Sequence, residues 1–392
     1  MRIAGIIAEY NPFHNGHAWH IAETRRLTGC DYVVVALAGH FTQRGEPAIL
    51  SKWDRARMAM SCGADAVFEL PALFAVRTAD AFARGGVGVL GGVGVDVLSF
   101  GCETEDMVLL RGLARLRESE PTEVSDLIRA NMAEGMAHVR ARGEALGAFL
   151  GIPAELLNRP NMILAAEYLR EVGRHFPGMD VCPVLRCGDY HNAELGLFSS
   201  ASAIRAALNR GQTAEALSAI PEAARPWAIP DALHPMDDML LLRLREMSLS
   251  DLAALPDVAE GLEHRLYRLC RETAGREALL EALKCKRYTR ARLSRLLTHA
   301  LLGLTQADVD ALPRPAYARL LGARRDAEPL LRELSWRTTL PVVSNATALR
   351  DDAGFRFECR ATDVWALLHD DPGLRLPGRE FTEKFVRLCA LP

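Results

Sequence analysis

The sequence predicts an α/β fold in the first half of the chain and a mostly helical region after it. Over roughly the first 100 residues, short apolar runs that are typical of buried strands alternate with helical patterns. Polar loops follow the carboxyl ends of those runs, as in right-handed β–α–β units. From about residue 211 onward, helical periodicity interrupted by prolines replaces the alternation. Together these observations indicate a Rossmann-like parallel sheet followed by helices.

The first predicted strand and the turn after it carry the clearest candidate site. Ile3–Ala8 is an almost uncharged run, which predicts a strand buried on both faces. Asn11-Pro12 marks a turn, and a helical pattern begins soon after it. His14 and His17 therefore lie one turn apart at a helix N-terminus, where free N–H groups and the helix dipole attract anions.

Other roles stay open for this histidine pair. Either ring could be a hydrogen-bonded structural histidine, and with His20 the spacing could hold a metal ion, although no carboxylate follows at ligand spacing. Gly16, between the two rings, would let a flat base or ribose approach the backbone. The order of strand, tight turn, His-Asn-Gly-His and helix favours contact with the phosphates of a nucleotide.

Further candidates lie where later strands are predicted to end. Apolar runs predict strands at 31–38, 64–70, 95–100 and 181–185, with helices from Ser51 and over 78–90. A polar loop at 39–47 follows the second strand, and Gly101 and Arg186 follow the fourth and fifth. Ligands of parallel sheets bind outside the carboxyl ends of strands, so we expect these residues to surround the histidines.

Two helix starts could add phosphate contacts. Asn161 is placed at or near the N-cap of an apolar helix, and a hydroxyl-rich helix start at 199–205 ends in Arg205. Ordinary capping would also explain both. The glycine-rich run 85–94 precedes a strand, so it predicts close packing and not a phosphate loop. Residues near 105–150 have the pattern of a charged helical insertion.

The second region contains one strongly basic segment. Residues 265–295 hold ten Arg or Lys against three acidic residues, whereas residues 1–100 carry nine of each sign. With Tyr288 available for stacking, this segment suggests contact with an RNA backbone, although a solvated basic face is the usual alternative. Beyond it, 338–344 and 355–359 are predicted strands, and a last helix is expected from Thr382.

Composition limits the class of protein. The chain has 392 residues, 49% hydrophobic, with a net charge of −3. No stretch approaches eighteen apolar residues and no signal-peptide pattern opens the chain, so we expect a cytoplasmic protein without a membrane partner. Nine scattered cysteines without a C-x-x-C pair support neither a disulfide framework nor a zinc site.

Several motifs together resemble one family. They are Ala4-Gly5-Ile6, 9–17, 43–48, 51–53, Phe100-Gly101, Pro160-Asn161 with Ile163-Leu164, 199–205 and 286–290. In this order they resemble the tRNA(Met) cytidine acetate ligases, a branch of the HIGH-motif nucleotidyltransferase superfamily. The resemblance implies ATP-dependent acetylation of the wobble cytidine of elongator tRNA-Met through acetyl-adenylate, with release of AMP and pyrophosphate. Acetate, ATP and tRNA would be the partners, and no obligate protein partner is evident.

The resemblance also implies site residues. His14 and His17 would be catalytic, stabilising charge on the triphosphate. ATP would contact Ile7, Ala8, Glu9, Tyr10, Asn11, Pro12, Phe13, His14, Asn15, Gly16, His17, Ala18, Trp19, His20, Gly101, Asn161 and Arg186, with Ser199, Ser202 and Arg205 added from the serine-rich helix start. Mg²⁺ is expected on the phosphates and no tightly bound metal elsewhere.

The other ligands are placed by loop position and charge. Gln43 and Arg44, with Glu46 from the same loop, are candidates for the acetate end of the site. Binding of tRNA is predicted for the basic residues Lys284, Lys286, Arg287, Arg290, Arg292 and Arg295. This divides the chain into an ATP-binding domain at 1–210, with its insertion near 105–150, and a mostly helical tRNA-binding region at 211–392.

Two other functions remain possible at this stage. A small-molecule adenylyltransferase needs only the nucleotide domain and would leave the basic segment without a role. A non-catalytic protein that binds nucleotide and RNA would show binding without turnover. An aminoacyl-tRNA synthetase is disfavoured, because four lysines in the whole chain leave no lysine-rich second signature.

Overall fold

The computed structural model describes residues 1–136, 138–157, 159–186, 196, 198–231, 233–259, 261–285 and 287–389. Its centre is one mixed sheet with the strand order β5-β4-β1-β2-β3-β6-β7, in which β8 also pairs with β6. The strands are β1 (Ile3–Ala8), β2 (Tyr32–Ala38), β3 (Ala66–Leu70), β4 (Val97–Cys102), β5 (Asp180–Leu185), β6 (Ala318–Arg324), β7 (Val342–Val343) and β8 (Val386–Leu388).

The first five strands form the parallel part of this sheet. Ile3 of β1 pairs with Tyr32 of β2, and β1 pairs in parallel with β4 on its other side. Every residue of β3 is buried, because helices cover both faces of the sheet. The five strands predicted from apolar runs are thus confirmed, with small differences at their ends.

Helices cover the sheet and build the second half of the chain. The first half contains α1 (Asn15–Thr28), α2 (Lys52–Ser61), α3 (Ala72–Ala75), α4 (Ala79–Val93), α5 (Met107–Glu118), α6 (Thr122–Ala133), α7 (His138–Leu150), α8 (Ala154–Leu157), α9 (Pro160–His175) and α10 (Ala201–Asn209). The second half contains α11 (Thr213–Ser218), α12 (Asp237–Glu246), α13 (Leu249–Ala253), α14 (Leu262–Glu272), α15 (Arg276–Leu283), α16 (Arg290–Leu302), α17 (Gln306–Ala311), α18 (Glu328–Arg337), α19 (Ala353–Ala366) and α20 (Arg379–Thr382). Short 3₁₀ helices lie at Glu222–Trp227, Arg325–Ala327 and Ala346–Leu349.

Strands in the last quarter of the chain differ from those predicted. β6 lies where a helical pattern is predicted, because Ala, Leu and Arg are good helix formers. Its pairing with β3, β7 and β8, which are distant in the sequence, makes the segment a strand. The predicted strand at 355–359 is wrong, since it lies inside α19. Of the predicted strand at 338–344, only β7 is present. The predicted helix from Thr382 is also wrong, because α20 ends there and β8 follows.

A buried ion network joins the second half of the chain to the sheet. It comprises Lys52 on α2, Glu69 on β3, Arg319 on β6, Glu358 on α19 and Glu380 on α20. The side chains of Lys52 and of the three glutamates are fully buried. Lys52 contacts all three carboxylates, and Arg319 pairs with two of them. These contacts hold α2, β6, α19 and α20 in one arrangement.

The glycine-rich helix α4 packs at close range, as predicted. A Cβ atom at Gly86 would lie 2.6 Å from Ile7, and one at Gly91 would lie 2.5 Å from the ring of Phe176. These glycines therefore let α4 approach the sheet and its neighbour. In the part of the chain that the structure describes, no helix combines the length and apolar character needed to cross a membrane.

Candidate active site

A cavity of about 280 Å³ opens at the carboxyl ends of β1 and β4 and at the first turns of α1 and α10. It is lined by Ile6, Ile7, Ala8, Glu9, Tyr10, Asn11, His14, His17, His20, Thr42, Gln43, Arg44, Glu46, Phe82, Phe100, Gly101, Asn161, Leu164, Tyr168, Arg186, Ser200, Ala201, Ser202 and Arg205. We call it the first cavity. It lies where parallel sheets bind ligands.

A larger depression of about 710 Å³ lies at the other end of the strands. Its walls include Arg2, Val97 and Asp180, which stand at the amino ends of β1, β4 and β5. Ligand sites of α/β sheets form instead at the carboxyl ends of the strands. The first cavity, although smaller, is therefore the candidate active site.

Two histidines at the start of α1 present preset donors to the first cavity. His14 is the N-cap residue, and its Nδ1 accepts a hydrogen bond from the Gly16 N–H at 3.1 Å. The His14 N–H in turn donates to Nδ1 of His17 at 3.2 Å. A neutral imidazole that accepts at Nδ1 carries its proton on Nε2. The capping box thus fixes both rings as Nε2–H donors.

The histidine rings also hold one another in place. His14 and His17 stack with ring centroids 3.7 Å apart, and Tyr10 lies 4.7 Å from His17. A Cβ atom at Gly16 would lie 3.0 Å from Cε1 of His14. Gly16 therefore makes room for the ring of His14, whereas the sequence predicted that it would make room for a nucleotide.

Burial keeps these histidines neutral. It lowers the pKa of His14 to about 3, with a further contribution from the positive charge of Arg186. It lowers the pKa of His20 to about 4 and that of His17 well below 6.5. His20 lines the same cavity and hydrogen-bonds to the Ser99 hydroxyl at 3.1 Å, so all three rings border one space. Neutral rings next to a guanidinium suit a polyanion, because they donate hydrogen bonds at little cost of charge burial.

A carboxylate lies beside these donors. Glu9 follows β1, and its Oε1 accepts the Gln43 N–H at 2.6 Å. Burial raises the pKa of Glu9, against the hydrogen bond from Gln43 and the charges of Arg44, Arg55 and Arg205. Arg55 is fully buried and donates to the Glu9 carbonyl at 2.6 Å and to the Ala38 carbonyl at 2.9 Å. The ends of β1 and β2 are thereby fixed relative to each other.

Residues from distant parts of the chain complete the first cavity. Arg205 on α10 donates to the Asn11 carbonyl at 2.7 Å. Asn161 in the first turn of α9 donates to Glu103 at 2.8 Å, and the N-cap of that helix is Arg159. Arg186 follows β5 and Gly101 lies in β4. The predicted convergence of strand ends and helix starts is present.

Some predicted ATP contacts do not line the cavity. They are Pro12, Phe13, Asn15, Gly16, Ala18, Trp19 and Ser199. Phe13 is fully buried, and the Asn15 N–H donates to the Ala219 carbonyl at 2.9 Å. The Ser199 hydroxyl closes a turn with Gly196 at 2.8 Å. These residues shape the turn, and the neighbouring Ser200 and Ser202 face the cavity.

Sequence reasoning missed several lining residues. Among them is Thr42, which shares the polar loop with the predicted Gln43, Arg44 and Glu46. The polarity of that loop was the available signal. Phe82, Phe100, Leu164 and Tyr168 also line the cavity, and their apolar patterns did not distinguish them from core residues.

The basic segment packs directly against the polar loop at 42–46. Thr298 on α16 donates to the Gly45 carbonyl at 2.8 Å, and the Ser294 hydroxyl donates to the Arg44 carbonyl. Arg276 donates to the Ser294 hydroxyl at 2.6 Å and to the Gly45 carbonyl at 3.3 Å. Gly45 has φ of 69°, and a Cβ there would lie 2.7 Å from the Ser294 carbonyl. Only glycine fits so close a contact.

The predicted tRNA-binding side chains differ in their present contacts. Arg290 pairs with Glu277 and Glu281. Arg292 donates to the Asp257 carbonyl at 2.7 Å, and its guanidinium lies 4.9 Å from the ring centroid of Tyr288. Lys284 pairs with Glu281 at 3.5 Å, and Arg287 is exposed. Lys286 lies outside the described residues.

Within the described residues, one group has metal-ligand geometry, namely Glu69, Glu358 and Glu380. Lys52 contacts all three carboxylates, so an ammonium group holds the position that a cation would take. The histidines of the first cavity do not form such a group.

Known proteins resemble this chain over most of its length. A sequence model described as HIGH Nucleotidyl Transferase matches residues 1–375. A tRNA(Met) cytidine acetate ligase of Acetivibrio thermocellus is 32% identical, over 98% of this chain and 100% of that protein. The protein of the same name from Bacillus subtilis is 33% identical, over 95% of this chain and 94% of its own.

Solved structures extend the likeness to the whole fold. The crystal structure of Thermotoga maritima TmcAL without ligand has a TM-score of 0.91 at 29% identity, covering 100% of both chains. A second crystal form of that protein, bound to alpha-thio ATP, has a TM-score of 0.90 with the same identity and coverage.

Proposed function

This chain belongs to the HIGH nucleotidyl transferase family and, within it, to the tRNA(Met) cytidine acetate ligases, and from that premise we propose how the first cavity works. It binds ATP and acetate and transfers the acetyl group to a cytidine of tRNA-Met. The observation that carries this proposal is the pair of Nε2–H donors of His14 and His17 beside Arg186 at the strand ends. They form a preset cradle for a triphosphate.

The reaction needs ATP because both substrates react poorly. The lone pair of the cytosine amine is delocalised into its ring, and acetate is an anion that resists nucleophiles. An acetate oxygen attacks the α-phosphorus of ATP, the bond to the bridging oxygen breaks, and pyrophosphate leaves. The amine nitrogen then attacks the carbonyl carbon of acetyl-adenylate, AMP leaves with the electrons of the C–O bond, and the amine loses a proton. The product is N4-acetylcytidine at the wobble position of elongator tRNA-Met.

The residues of the first cavity divide this work. His14 and His17 donate to the phosphate oxygens as charge develops on the leaving pyrophosphate. Arg186 and Arg205 add positive charge, and Ser202 adds a hydroxyl at the first turn of α10, where free N–H groups also face the cavity. Gln43 and Arg44, from the polar loop that lines the same cavity, hold the carboxylate of acetate.

Mg²⁺ would be carried mainly by the phosphates. The carboxylates that line the first cavity are Glu9 and Glu46, and Glu9 already accepts the Gln43 N–H while Glu46 lies 3.9 Å from Arg205. This donor set fits an ion that keeps most of its ligands from phosphate and water. When bound, the ion neutralises phosphate charge.

Binding of tRNA belongs to the second half of the chain in this proposal. Residues 1–210, with the insertion near 105–150, carry the ATP chemistry, and the mostly helical region 211–392 holds the RNA through Lys284, Lys286, Arg287, Arg290, Arg292 and Arg295. The contacts of Ser294, Thr298 and Arg276 with the loop at 44–45 support this arrangement, since they keep the basic helix α16 beside the first cavity.

Labelled acetate tests the proposed function. Purified protein with ATP, labelled acetate and total tRNA is expected to form AMP and to label tRNA-Met alone. Label that comes from acetyl-CoA and not from acetate would contradict the ligase reaction. Turnover without any RNA acceptor would instead indicate a metabolite adenylyltransferase, and binding of ATP and tRNA without AMP formation would indicate a non-catalytic protein.

A further inference from the structure

A second cavity of about 520 Å³ lies next to the first one. Gln43, Arg44, Glu46 and Leu164 line both cavities, so the loop at 43–46 is their common wall. The volume falls within the roughly 300–1,000 Å³ that is usual for small-ligand sites. No residue of the HIGH-type histidine turn takes part in this second cavity, so it is separate from the triphosphate cradle.

Three helix N-termini meet at the second cavity. Its lining includes Thr78 and Ala79 at the start of α4, Pro160 at the start of α9, and Thr289 at the start of α16. These helices have 15, 16 and 13 residues, and the first two have no side-chain cap. Their free N–H groups and dipoles create a positive potential for an anion. The acid in the first turn of α4, Asp80, is paired with Arg84 at 3.2 Å.

An arginine whose buried Nε lacks a hydrogen-bond partner in the described part of the chain lines the same space. Among the described residues, none accepts a hydrogen bond from the buried Nε of Arg295, and no ion pair engages its guanidinium. Burial lowers its pKa, and the charges of Asp257 and Asp80 act in the opposite direction. Arg290 lines the cavity too, but Glu277 and Glu281 engage it. A buried donor without an acceptor destabilises the folded protein unless a bound ligand accepts its hydrogen bond.

We propose that the second cavity binds the acceptor nucleotide of the RNA, with Arg295 and the first turns of α4, α9 and α16 holding its backbone phosphate. The base then reaches past Gln43 into the first cavity, where the acetyl group is activated. RNA loops offer such splayed-out nucleotides, and arginine with helix N-termini is the usual phosphate-binding chemistry. Ile163 and Leu164 supply an apolar wall for the sugar and base. This inference rests on the proposed function.

Two variants separate this site from the ATP site. Arg295→Gln removes the unpaired charge, and Ala291→Phe narrows the cavity without changing charge, from an exposed position on α16. Arg268→Gln is the matched control, because Arg268 belongs to the same basic segment but is 61% exposed and pairs with Glu272. Acetate-dependent exchange of labelled pyrophosphate into ATP reports adenylation without RNA, and acetyl transfer to an anticodon stem-loop of tRNA-Met reports the complete reaction.

The expected result is a selective loss of transfer. For Arg295→Gln and Ala291→Phe, transfer to the stem-loop falls at least tenfold relative to pyrophosphate exchange, and Arg268→Gln changes neither. The salt dependence of stem-loop binding loses about one unit of slope in Arg295→Gln. Equal transfer in all three variants would overturn the inference, and so would parallel loss of exchange and transfer. Wild-type protein without acetate-dependent exchange would contradict the proposed function itself, which is a separate outcome.

Discussion

The buried ion network and the first cavity both place charged groups inside the protein, but the two regions differ in how completely their polar groups are paired. In the network, Lys52 contacts all three carboxylates, Arg319 pairs with Glu69 and Glu380, and Thr362 donates to Glu380. In the first cavity, the described contacts leave the buried Tyr10 hydroxyl without a partner, and the histidines lose their charge. A completed network fixes structure, whereas an incomplete one is prepared for a ligand.

The charge balance of the network follows the same logic. It contains three carboxylates and two cations, and burial together with the neighbouring Glu69 raises the pKa of Glu358 to about 8. A proton on Glu358 would balance the two other carboxylates against the two cations. The first cavity instead has more basic than acidic groups and gains neutrality only when an anion binds. The difference separates a structural cluster from a binding site.

The largest effect on stability is expected from breaking the network. Lys52→Met would leave three buried carboxylates with one arginine, and removing one partner of a buried pair costs about 3–5 kcal/mol. Urea unfolding measures the change in the free energy of unfolding. Lys284→Met is the matched control, because the Lys284 pair with Glu281 is more than half exposed and such pairs contribute about 0–1 kcal/mol. Similar losses in both variants would make the network an ordinary ion pair.

The next largest effect is expected on catalysis. His14→Asn keeps a short side chain that caps α1 but removes the Nε2–H donor, so helix stability is largely retained. Loss of one preset donor to a developing charge lowers the rate by about 10²–10³-fold. Acetate-dependent pyrophosphate exchange measures it, for His17→Asn as well. His264→Asn, at an exposed ring, serves as the control, and unchanged exchange in the His14 variant would make that ring structural.

A smaller effect is expected on the pH dependence of stability, through the histidines of the first cavity. The unfolded chain protonates its histidines near pH 6.5, whereas the folded chain protonates His14 only near pH 3 and His20 near pH 4. Between these values the unfolded state binds more protons, so the stability of the ligand-free protein falls as the pH falls below about 6.5. Unfolding curves between pH 4 and 7 measure this slope. It should be shallower in His14→Asn and unchanged in His264→Asn; an unchanged slope in both would mean that His14 is already charged in the folded state.

Local signals explain what the sequence predicted well. The first strand, the turn and the histidine helix are contiguous, and periodicity over 3–20 is enough to place them. Strand ends at Gly101 and Arg186 followed from the rule that parallel strands end at one edge. The orientation of the His14 and His17 rings could not be predicted, because it depends on hydrogen bonds from Gly16 and from the His14 backbone.

Contacts between residues far apart in the sequence explain the features that the sequence did not predict. Lys52 is 306 positions from Glu358 and 328 from Glu380, and no local pattern marks such partners. β6 is a strand because it pairs with β3, β7 and β8. Phe355 and Phe357 are buried on the helix α19, although their alternation is typical of a strand. The second cavity was missed for the same reason, since its walls come from five separate parts of the chain.

The smallest effect is expected where α16 contacts the loop at 43–46. Ser294→Ala removes a donor to the Arg44 carbonyl and an acceptor for Arg276, and one such hydrogen bond contributes about 0.5–1.5 kcal/mol. Ser335→Ala, whose exposed hydroxyl donates to the Arg332 carbonyl, is the control. Because the loop at 43–46 forms the wall of both cavities, we expect Ser294→Ala to raise the KM for acetate as well as to lower stability slightly. A loss of stability with unchanged KM would mean that the contact between Ser294 and the loop supports the fold alone. The loop would then be held in place by the hydrogen bond between Glu9 and Gln43.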